Sequence, residues 1–218
     1  MSGSSTESRR AKRYFDRLAP EYNRAFQRLG GVVNRFPRGR TFARRMEILE
    51  SVLRGLELEG KTVLDLGCGS GQVSLLAASY GARVHGIDIA PRMLDIARDS
   101  AREAGLDDRV EFEEGDVLTA TLQQADVTLL VGVVEYYREY EEVIGLAARA
   151  TRETLVVAHT TRVLYRMALR RIMFALQRAS VHFHRAEDLV LAAEAAGFRL
   201  EREEREHAFT VLVLQRDG

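Results

Sequence analysis

Three glycines on alternate positions, Gly67, Gly69 and Gly71, follow a short apolar stretch that ends near Asp65. Glycines at a turn between a strand and a helix let the backbone bend sharply and let a ligand approach the main chain. The spacing is G-x-G-x-G, whereas dinucleotide sites carry G-x-G-x-x-G. A carboxylate at such a turn repels pyrophosphate but suits a ligand with an ammonium and a sulfonium group. These residues predict a site for a positively charged ligand, and a nicotinamide-binding turn is the alternative.

Two further acids follow other predicted strands. Asp88 ends the strand 83–88, seventeen residues past Gly71. A carboxylate in that place can accept hydrogen bonds from both hydroxyls of a ribose. Asp116 follows the strand 109–113 in the same way.

Strands and helices alternate around these acids. The remaining predicted strands are an apolar run up to Asp65, 126–132, 154–159 and a closing hairpin of 198–203 and 207–215, and helices are predicted at 41–56, 91–104, 139–150 and 184–196. This rhythm is typical of a parallel sheet wound on both faces, in which ligands bind beyond the carboxyl ends of the strands. Asp65, Asp88, Asp116 and Val133 all fall at such ends, so four turns are expected to converge on one crevice.

The run VLDLGCGSG at residues 63–71 resembles motif I of the class I S-adenosylmethionine (SAM) methyltransferases. The resemblance implies an α/β, Rossmann-like sheet of seven strands, mostly parallel with an antiparallel last strand. It also implies SAM as cofactor and S-adenosylhomocysteine (SAH) as product. Asp116 resembles the acid that binds the adenine amino group in this family. The cofactor contacts implied are Tyr14, Asp65, Gly67, Cys68, Gly69, Asp88, Ile89, Met93, Asp116, Val117 and Gly132.

The N-terminal stretch 14–23, YFDRLAPEYN, resembles a segment that folds over the SAM pocket in many small-molecule methyltransferases. The apolar spacing over residues 10–29 predicts two short helices interrupted at Pro20, and a flexible leader is predicted over residues 1–13. A Gly/Pro/Arg-rich loop is predicted at 30–40. We therefore expect an N-terminal helical cap over residues 1–45 and a SAM-binding domain over 46–218, with a lid insertion at about 160–185.

Basic residues are concentrated in two segments. Residues 1–45 hold twelve Lys and Arg against three acids, and residues 154–186 hold six arginines and no acid. The second segment predicts a basic amphipathic helix, Arg162 to Arg178, which suits a substrate lid or a membrane surface. The charge indicates an anionic small-molecule substrate, although solvated helix faces explain it equally well. The predicted substrate contacts are Tyr22, Arg162, Arg166 and His184.

Methyl transfer from a sulfonium is an in-line displacement, which mainly requires that the acceptor be held on axis. A base is needed only for a poorly acidic acceptor. The loops after the fourth and fifth strands offer Tyr136, Tyr137 and His159 as catalytic candidates. A tyrosine with a pKa near 10 is a poor base but a good hydrogen-bond donor. His182 and His184 have no acid or cysteine nearby, so no metal site is predicted.

The acceptor class is narrowed by what the sequence lacks. No N/D-P-P-Y/F motif of nucleic-acid methyltransferases follows the fourth strand, and Glu135 stands alone where arginine methyltransferases carry two glutamates. A small molecule, methylated on oxygen, is the prediction that remains. RYFDR at 13–17 and EYYR at 135–138 resemble the layout of magnesium-protoporphyrin O-methyltransferases, which implies a carboxylate acceptor as one alternative. A nicotinamide-dependent reductase and a non-catalytic cofactor-binding protein are the others.

Composition is that of a globular protein, with 46% hydrophobic and 29% charged residues. The single cysteine, Cys68, cannot form an internal disulfide, which fits a reducing cytosol. No apolar run reaches membrane-spanning length. We therefore expect a cytoplasmic protein, with peripheral membrane contact through the basic helix as a further possibility and no prediction of its oligomeric state.

Overall fold

The structure is a computed structural model that describes residues 3–27, 37–160, 181–206 and 209–218. Its centre is a sheet of seven strands in the order β3-β2-β1-β4-β5-β7-β6. The strands are β1 Thr62–Leu66, β2 Arg83–Asp88, β3 Val110–Glu114, β4 Ala125–Val131, β5 Thr151–Thr160, β6 Phe198–Glu206 and β7 Phe209–Arg216. The helices are α1 Gly3–Gln27, α2 Pro37–Arg54, α3 Gln72–Ser79, α4 Pro91–Ala104, a 3-10 turn Val134–Tyr136, α5 Tyr140–Ala150 and α6 Ala186–Glu194.

Strands β1 to β5 run parallel, and β7 pairs antiparallel with both β5 and β6. The predicted mostly parallel sheet with an antiparallel last strand is therefore confirmed. The winding reverses between β1 and β4, which are neighbours in the sheet although two strands separate them in the chain. A crevice opens at such a reversal, outside the carboxyl ends of the strands.

The sheet is covered on both faces. One face packs under α5 and α6 through residues such as Ile144 and Leu189, and the other packs under α2 and α3. Strand β4 contributes Leu129 to one layer and Leu130 to the other, and both side chains are fully buried. Its continuous apolar run is explained by this burial on two sides.

Helix α1 differs from its prediction, because it is one helix of 25 residues and not two short helices after a leader. Proline inside a helix removes one backbone hydrogen bond and clashes with the preceding turn, at a cost of ~3 kcal/mol. Tertiary contacts offset that cost here. Phe15 and Ala19 pack against Met93 and Ile96 of α4, and Lys12 pairs with Glu114 at the end of β3. The predicted break at Pro20 is therefore wrong, as is the leader from residue 3 onward.

Other boundaries shift by a few residues. Helix α2 begins at Pro37, inside the predicted loop 30–40, and proline is favoured at a helix start because its missing amide hydrogen is not needed there. Helix α6 begins at Ala186 and not at His184. The proposed domain boundary at 45/46 falls inside α2, whose Leu49 and Leu53 are buried on the sheet. The predicted lid helix lies outside the described residues. In the described parts of the chain, no helix has both the length and the apolar character needed to cross a membrane.

Candidate functional site

A cavity of about 300 Å³ lies at the carboxyl ends of β1, β2, β4 and β5. Ten of the eleven predicted cofactor contacts line it: Tyr14, Asp65, Gly67, Cys68, Gly69, Asp88, Ile89, Met93, Val117 and Gly132. The strand-end rule thus predicted where the crevice lies, and the resemblance to SAM methyltransferases supplied these lining residues. Asp116 is the exception, since its neighbours Gly115 and Val117 line the cavity while its own side chain does not.

Two positions of the glycine-rich turn accept only glycine. Gly67 has a φ of 72°, and a Cβ built there would lie 2.5 Å from Cγ2 of Val133. Gly71 has a φ of 78°, and its Cβ would lie 2.9 Å from Cβ of Ala97. L-residues with side chains rarely adopt these backbone angles. The turn is also tied to β2, because the amide of Gly67 donates to the carbonyl of Ile87 at 2.7 Å.

Asp65 is a buried carboxyl group beneath this turn. The hydroxyl of Ser74 in α3 donates to its Oδ2 at 2.6 Å. Burial raises the pKa of Asp65 to about 7, and the charge of Asp88 adds to the increase, while the Ser74 hydrogen bond opposes it. A cationic ligand beside Asp65 would favour the ionised carboxylate and so bind more tightly at a pH above 7.

Asp88 fixes two main-chain segments at the cavity wall. Its Oδ2 accepts from the amide of Gly69 and its Oδ1 from the amide of Ala90, both at 2.8 Å. Burial raises the pKa of Asp88, although both amide bonds oppose that shift. A carboxylate oxygen accepts up to two hydrogen bonds, so each oxygen retains a lone pair for a ligand hydroxyl.

Asp116 serves the turn after β3. Its Oδ1 accepts from the amide of Leu118 at 3.0 Å and lies 3.5 Å from the hydroxyl of Tyr137. The carboxylate therefore joins this turn to the loop after β4. Its predicted contact with adenine stays a prediction.

Helix α1 lies over the cavity, which Ala11, Tyr14 and Phe15 line from above. Glu7 holds its N-terminal part, because one carboxylate oxygen accepts from the amide of Arg138 at 3.2 Å and the other lies 3.0 Å from Nε2 of His182. The amide of Arg92 lies 3.4 Å from Asp16 further along the helix. The N-terminal segment thus covers the crevice. The side chain of Tyr22, together with Arg162 and Arg166, lies outside the described part of the chain.

The 3-10 turn after β4 brings two predicted catalytic residues to the cavity. The ring of Tyr136 meets that of Phe15 edge-on, with 5.1 Å between centroids. Tyr137 is buried, and burial followed by the charge of Asp116 raises the pKa of its phenol. The Tyr137 hydroxyl therefore stays protonated and acts as a hydrogen-bond donor, not as a base.

The sequence matches the family described as "Methyltransferase domain" over residues 57–185, which is more than half of the chain. The chain belongs to this methyltransferase family. A ribosomal protein L11 methyltransferase from Enterobacter sp. (strain 638) is 41% identical over 80 residues, 34% of this chain and 27% of that protein. The chain thus spans about a quarter of that relative's length. A ubiquinone biosynthesis O-methyltransferase from Coxiella burnetii is 26% identical over 162 residues, covering 70% of this chain and 69% of the relative.

Among solved structures, magnesium protoporphyrin IX methyltransferase from Synechocystis PCC 6803 with bound SAM has the same fold. Its TM-score is 0.74 with 20% sequence identity, and the match covers 97% of both chains. The prediction of a class I SAM-dependent methyltransferase fold is therefore confirmed, and SAM is the cofactor of this family.

The cavity of this methyltransferase-family chain fits SAM by its chemistry. Asp65 and Asp88 supply two buried carboxylates for a ligand that carries an ammonium, a sulfonium and ribose hydroxyls. Ile89, Met93 and Val117 supply an apolar wall for a flat ring. A Cβ at Gly69 would reach 3.5 Å from Met93, so the missing side chain leaves the main chain open to the ligand.

His159 does not line the cavity. Adjacent residues of a strand point to opposite faces, and in β5 it is Thr160 that lines the cavity. The His159 ring is 1% exposed, and neither ring nitrogen has a hydrogen-bond partner among the described residues. Burial lowers the pKa of His159, although the charge of Glu135 opposes this. His159 was expected close to the crevice as a catalytic candidate, but no contact in the cavity supports that role, which stays a prediction.

His184 braces the loop after β4 from behind. Its Nε2 lies 3.1 Å from the carbonyl oxygen of Val134 and 3.0 Å from that of Tyr137. Because both partners are acceptors, Nε2 carries the proton. The ring packs on Tyr140 with 4.4 Å between centroids. His184 does not line the cavity, so its predicted substrate contact is replaced by a structural one, and no group of three metal-binding side chains occurs among the described residues.

Replacing His184 by Phe should lower the free energy of unfolding by about 1–3 kcal/mol at pH 7.5, because the carbonyl of Tyr137 loses its side-chain donor and that of Val134 keeps only the amide of Tyr137. The variant should also flatten the pH dependence. Burial lowers the pKa of His184 and of His159 in the folded protein. The contribution of these two histidines to the free energy of unfolding is therefore complete above pH ~6.5 and is lost as the pH falls. Urea unfolding at pH 7.5 and 5.5 measures both effects. A variant that loses stability between these pH values as steeply as the wild type would contradict the role of His184.

Several lining residues have no counterpart among the predicted site residues: Phe15, Arg45, Met46, Leu49, Glu135, Thr160 and Phe209. Glu135 and Thr160 lie in the two loops that the sequence indicated, but which side chains enter the cavity depends on the exact turn. Arg45 and Phe209 come from α2 and β7, and the Arg45 guanidinium lies 4.7 Å above the Phe209 ring. No sequence pattern marks this pair.

Proposed function

We propose that this methyltransferase domain moves the methyl group of SAM to an oxygen atom of a small-molecule acceptor. The observation that carries the proposal is the pair of buried carboxylates, Asp65 and Asp88, on either side of an open glycine turn in one cavity. Membership of the methyltransferase family and the likeness to an O-methyltransferase from Coxiella burnetii support the reaction type.

Each lining residue has a role that follows from its chemistry. Asp88 would accept the ribose hydroxyls on the lone pairs that its amide bonds leave available. Asp65 would face the ammonium group as an ionised carboxylate. When bound, the sulfonium donor supplies an electrophilic methyl carbon and a neutral leaving group. The acceptor then needs to be held on axis near that carbon.

The roof and the loop after β4 would hold the acceptor and exclude water. Tyr14 and Phe15 of α1 close the cavity from above. The protonated Tyr137 directs its hydroxyl at Asp116 and so fixes the loop, and Tyr136 supplies an aromatic surface. Arg45 brings one guanidinium to the cavity, which suits an acceptor with an anionic group away from the reacting atom. Contacts from Arg162 and Arg166 and a cytoplasmic location remain predictions from the sequence.

A carboxylate O-methyltransferase of the magnesium-protoporphyrin kind is the second candidate. It is favoured by the resemblance of RYFDR at 13–17 and EYYR at 135–138 to the layout of that family. The likeness to the solved structure, at 20% identity, concerns the fold alone.

Calorimetry with SAH and NADH tests the cofactor, and methyl-labelled SAM with a panel of phenols, quinols, porphyrins and carboxylic acids tests the acceptor. We expect SAH to bind at micromolar concentration, NADH not to bind, and label to appear in a phenol or quinol. Binding of NADH in place of SAH, or label in none of the panel, would contradict the proposal.

A further inference from the structure

We propose that Glu135 faces the acceptor in this cavity and that the acceptor reacts through a neutral hydroxyl group and not through a carboxylate. The inference rests on the proposed function, which it makes more specific by naming the acceptor group and the residue that receives its proton.

Glu135 is held rigidly at the cavity. It lies in the 3-10 turn Val134–Tyr136, is 6% exposed and lines the cavity. Its Oε1 accepts from the amide of Thr160 at 3.2 Å, and its carbonyl oxygen accepts from the amide of His182 at 2.7 Å. Side chain and main chain are thus both fixed, to the end of β5 and to the segment before α6.

The second carboxylate oxygen of Glu135 has no such partner. Oε2 is buried and accepts no hydrogen bond among the described residues. It lies 4.0 Å from the position that a Cβ of Gly132 would take, and Gly132 also lines the cavity. A buried carboxylate oxygen without a donor is costly, and an ionised carboxylate can only accept. A hydrogen-bond donor that enters the cavity would satisfy Oε2.

The strand order places Glu135 at the acceptor end of the crevice. Asp65 lies near the end of β1 and Asp88 ends β2, and Val117 extends the cofactor side toward β3. Glu135 follows β4, on the opposite side of β1, and its neighbour Thr160 ends β5. A ligand that fills the β1–β3 side therefore leaves the β4–β5 side, with Oε2, to the second substrate.

The charge of the cavity disfavours a carboxylate at this end. Asp65, Asp88 and Glu135 are the acids among the described lining residues, and Arg45 is the one basic residue there. A reacting carboxylate would face the like charge of Glu135 at close range, whereas a hydroxyl would donate to it. A remote anionic group beside Arg45 remains compatible with the site.

The step balances with groups already named. The acceptor oxygen forms its bond to the methyl carbon while the carbon–sulfur bond breaks and its electron pair stays on the departing thioether sulfur. The hydroxyl proton passes to Oε2 of Glu135 and is later lost to water, which restores the carboxylate. The net products are the methyl ether, SAH and one proton.

Glu135→Gln isolates this role. The amide oxygen can still accept from Thr160, while an NH₂ group takes the place of Oε2 and can no longer accept a proton. Glu139→Gln is the matched control, because Glu139 is exposed four residues further along the same loop. The probes are 2-naphthol and 2-naphthoic acid, which share a ring system and differ in the reacting group.

Two readouts are combined, binding to the SAH-saturated protein by calorimetry and label transfer from methyl-labelled SAM. In the wild type and in Glu139→Gln, 2-naphthol should bind at least 10-fold more tightly than 2-naphthoic acid. In Glu135→Gln this preference should disappear and kcat for 2-naphthol should fall at least 100-fold. The SAH dissociation constant should change less than 3-fold, which a loss of folding would not allow.

The proposal is overturned if 2-naphthoic acid binds or accepts label as well as 2-naphthol, if neither probe binds, or if Glu135→Gln behaves like Glu139→Gln. If the Glu135 variant does not fold, the preference of the wild type for 2-naphthol over 2-naphthoic acid decides the acceptor group by itself. Failure of the wild type to bind SAH would instead refute the proposed function, so the two failures are distinguishable.

Discussion

Asp88→Asn is expected to weaken SAH binding about 100-fold, because charged hydrogen bonds to the ribose hydroxyls would be lost. The change also disturbs the protein itself. An asparagine side chain has one accepting oxygen, so the amides of Gly69 and Ala90 cannot both keep their 2.8 Å bonds. Calorimetric titration with SAH at fixed pH measures the loss.

Asp126→Asn provides the control for this variant. Asp126 accepts from the amide and the hydroxyl of Thr62 at 2.8 and 2.7 Å, but at the opposite end of the sheet. We expect it to lower stability and leave SAH affinity unchanged. Equal affinity losses in the two variants would show that Asp88 acts only through the general stability of the sheet.

Asp65→Asn is expected to stabilise the ligand-free protein by up to ~4 kcal/mol at pH 8. Burial raises the pKa of Asp65 from its ordinary value near 3.8 to about 7 in the folded state. The contribution of such a carboxyl group to the free energy of unfolding is complete below pH ~4, where it is protonated in both states. That contribution is lost as the pH rises through 7. Each unit of pKa shift corresponds to about 1.4 kcal/mol, so the ionised Asp65 lowers the free energy of unfolding at pH 8 by up to ~4 kcal/mol. Asparagine carries no charge and avoids this loss.

Urea unfolding at pH 5.5 and 8 tests this expectation, and SAH titration at pH 8 provides the functional counterpart. The stabilisation should be largest at pH 8 and shrink toward pH 5.5. SAH affinity should fall in the same variant, because the ammonium group loses its counter-charge. If the variant is no more stable than the wild type at pH 8, burial of the ionised Asp65 does not destabilise the folded protein.

The sheet could be predicted from the sequence because each of its signals lies within a short stretch of the chain. Apolar runs, the glycine turn and the acids at strand ends each lie within a few residues, and the strand-end rule converts them into one crevice. The helix start at Pro91 and its end at Gly105 were also visible in the sequence. Only tertiary contacts decide the remaining features.

Two misplaced features show the physical limit of that evidence. Pro20 is compatible with α1 because the helix packs on α4, and no local pattern contains that contact. In β5, a prediction of the strand end to within one residue leaves open whether His159 or Thr160 faces the ligand, because adjacent side chains point to opposite faces. Arg45 and Phe209 reach the cavity from segments 164 residues apart in the sequence.

The anchoring of α1 by Glu7 has a consequence for the order in which the site is completed. Glu7 lies 131 and 175 residues from its partners Arg138 and His182. Loops of that length close slowly relative to local structure. During synthesis on the ribosome α1 would therefore lack its Glu7 contacts until both partners have been made, and a nascent chain that ends before residue 182 would have the glycine turn but an incompletely fastened roof.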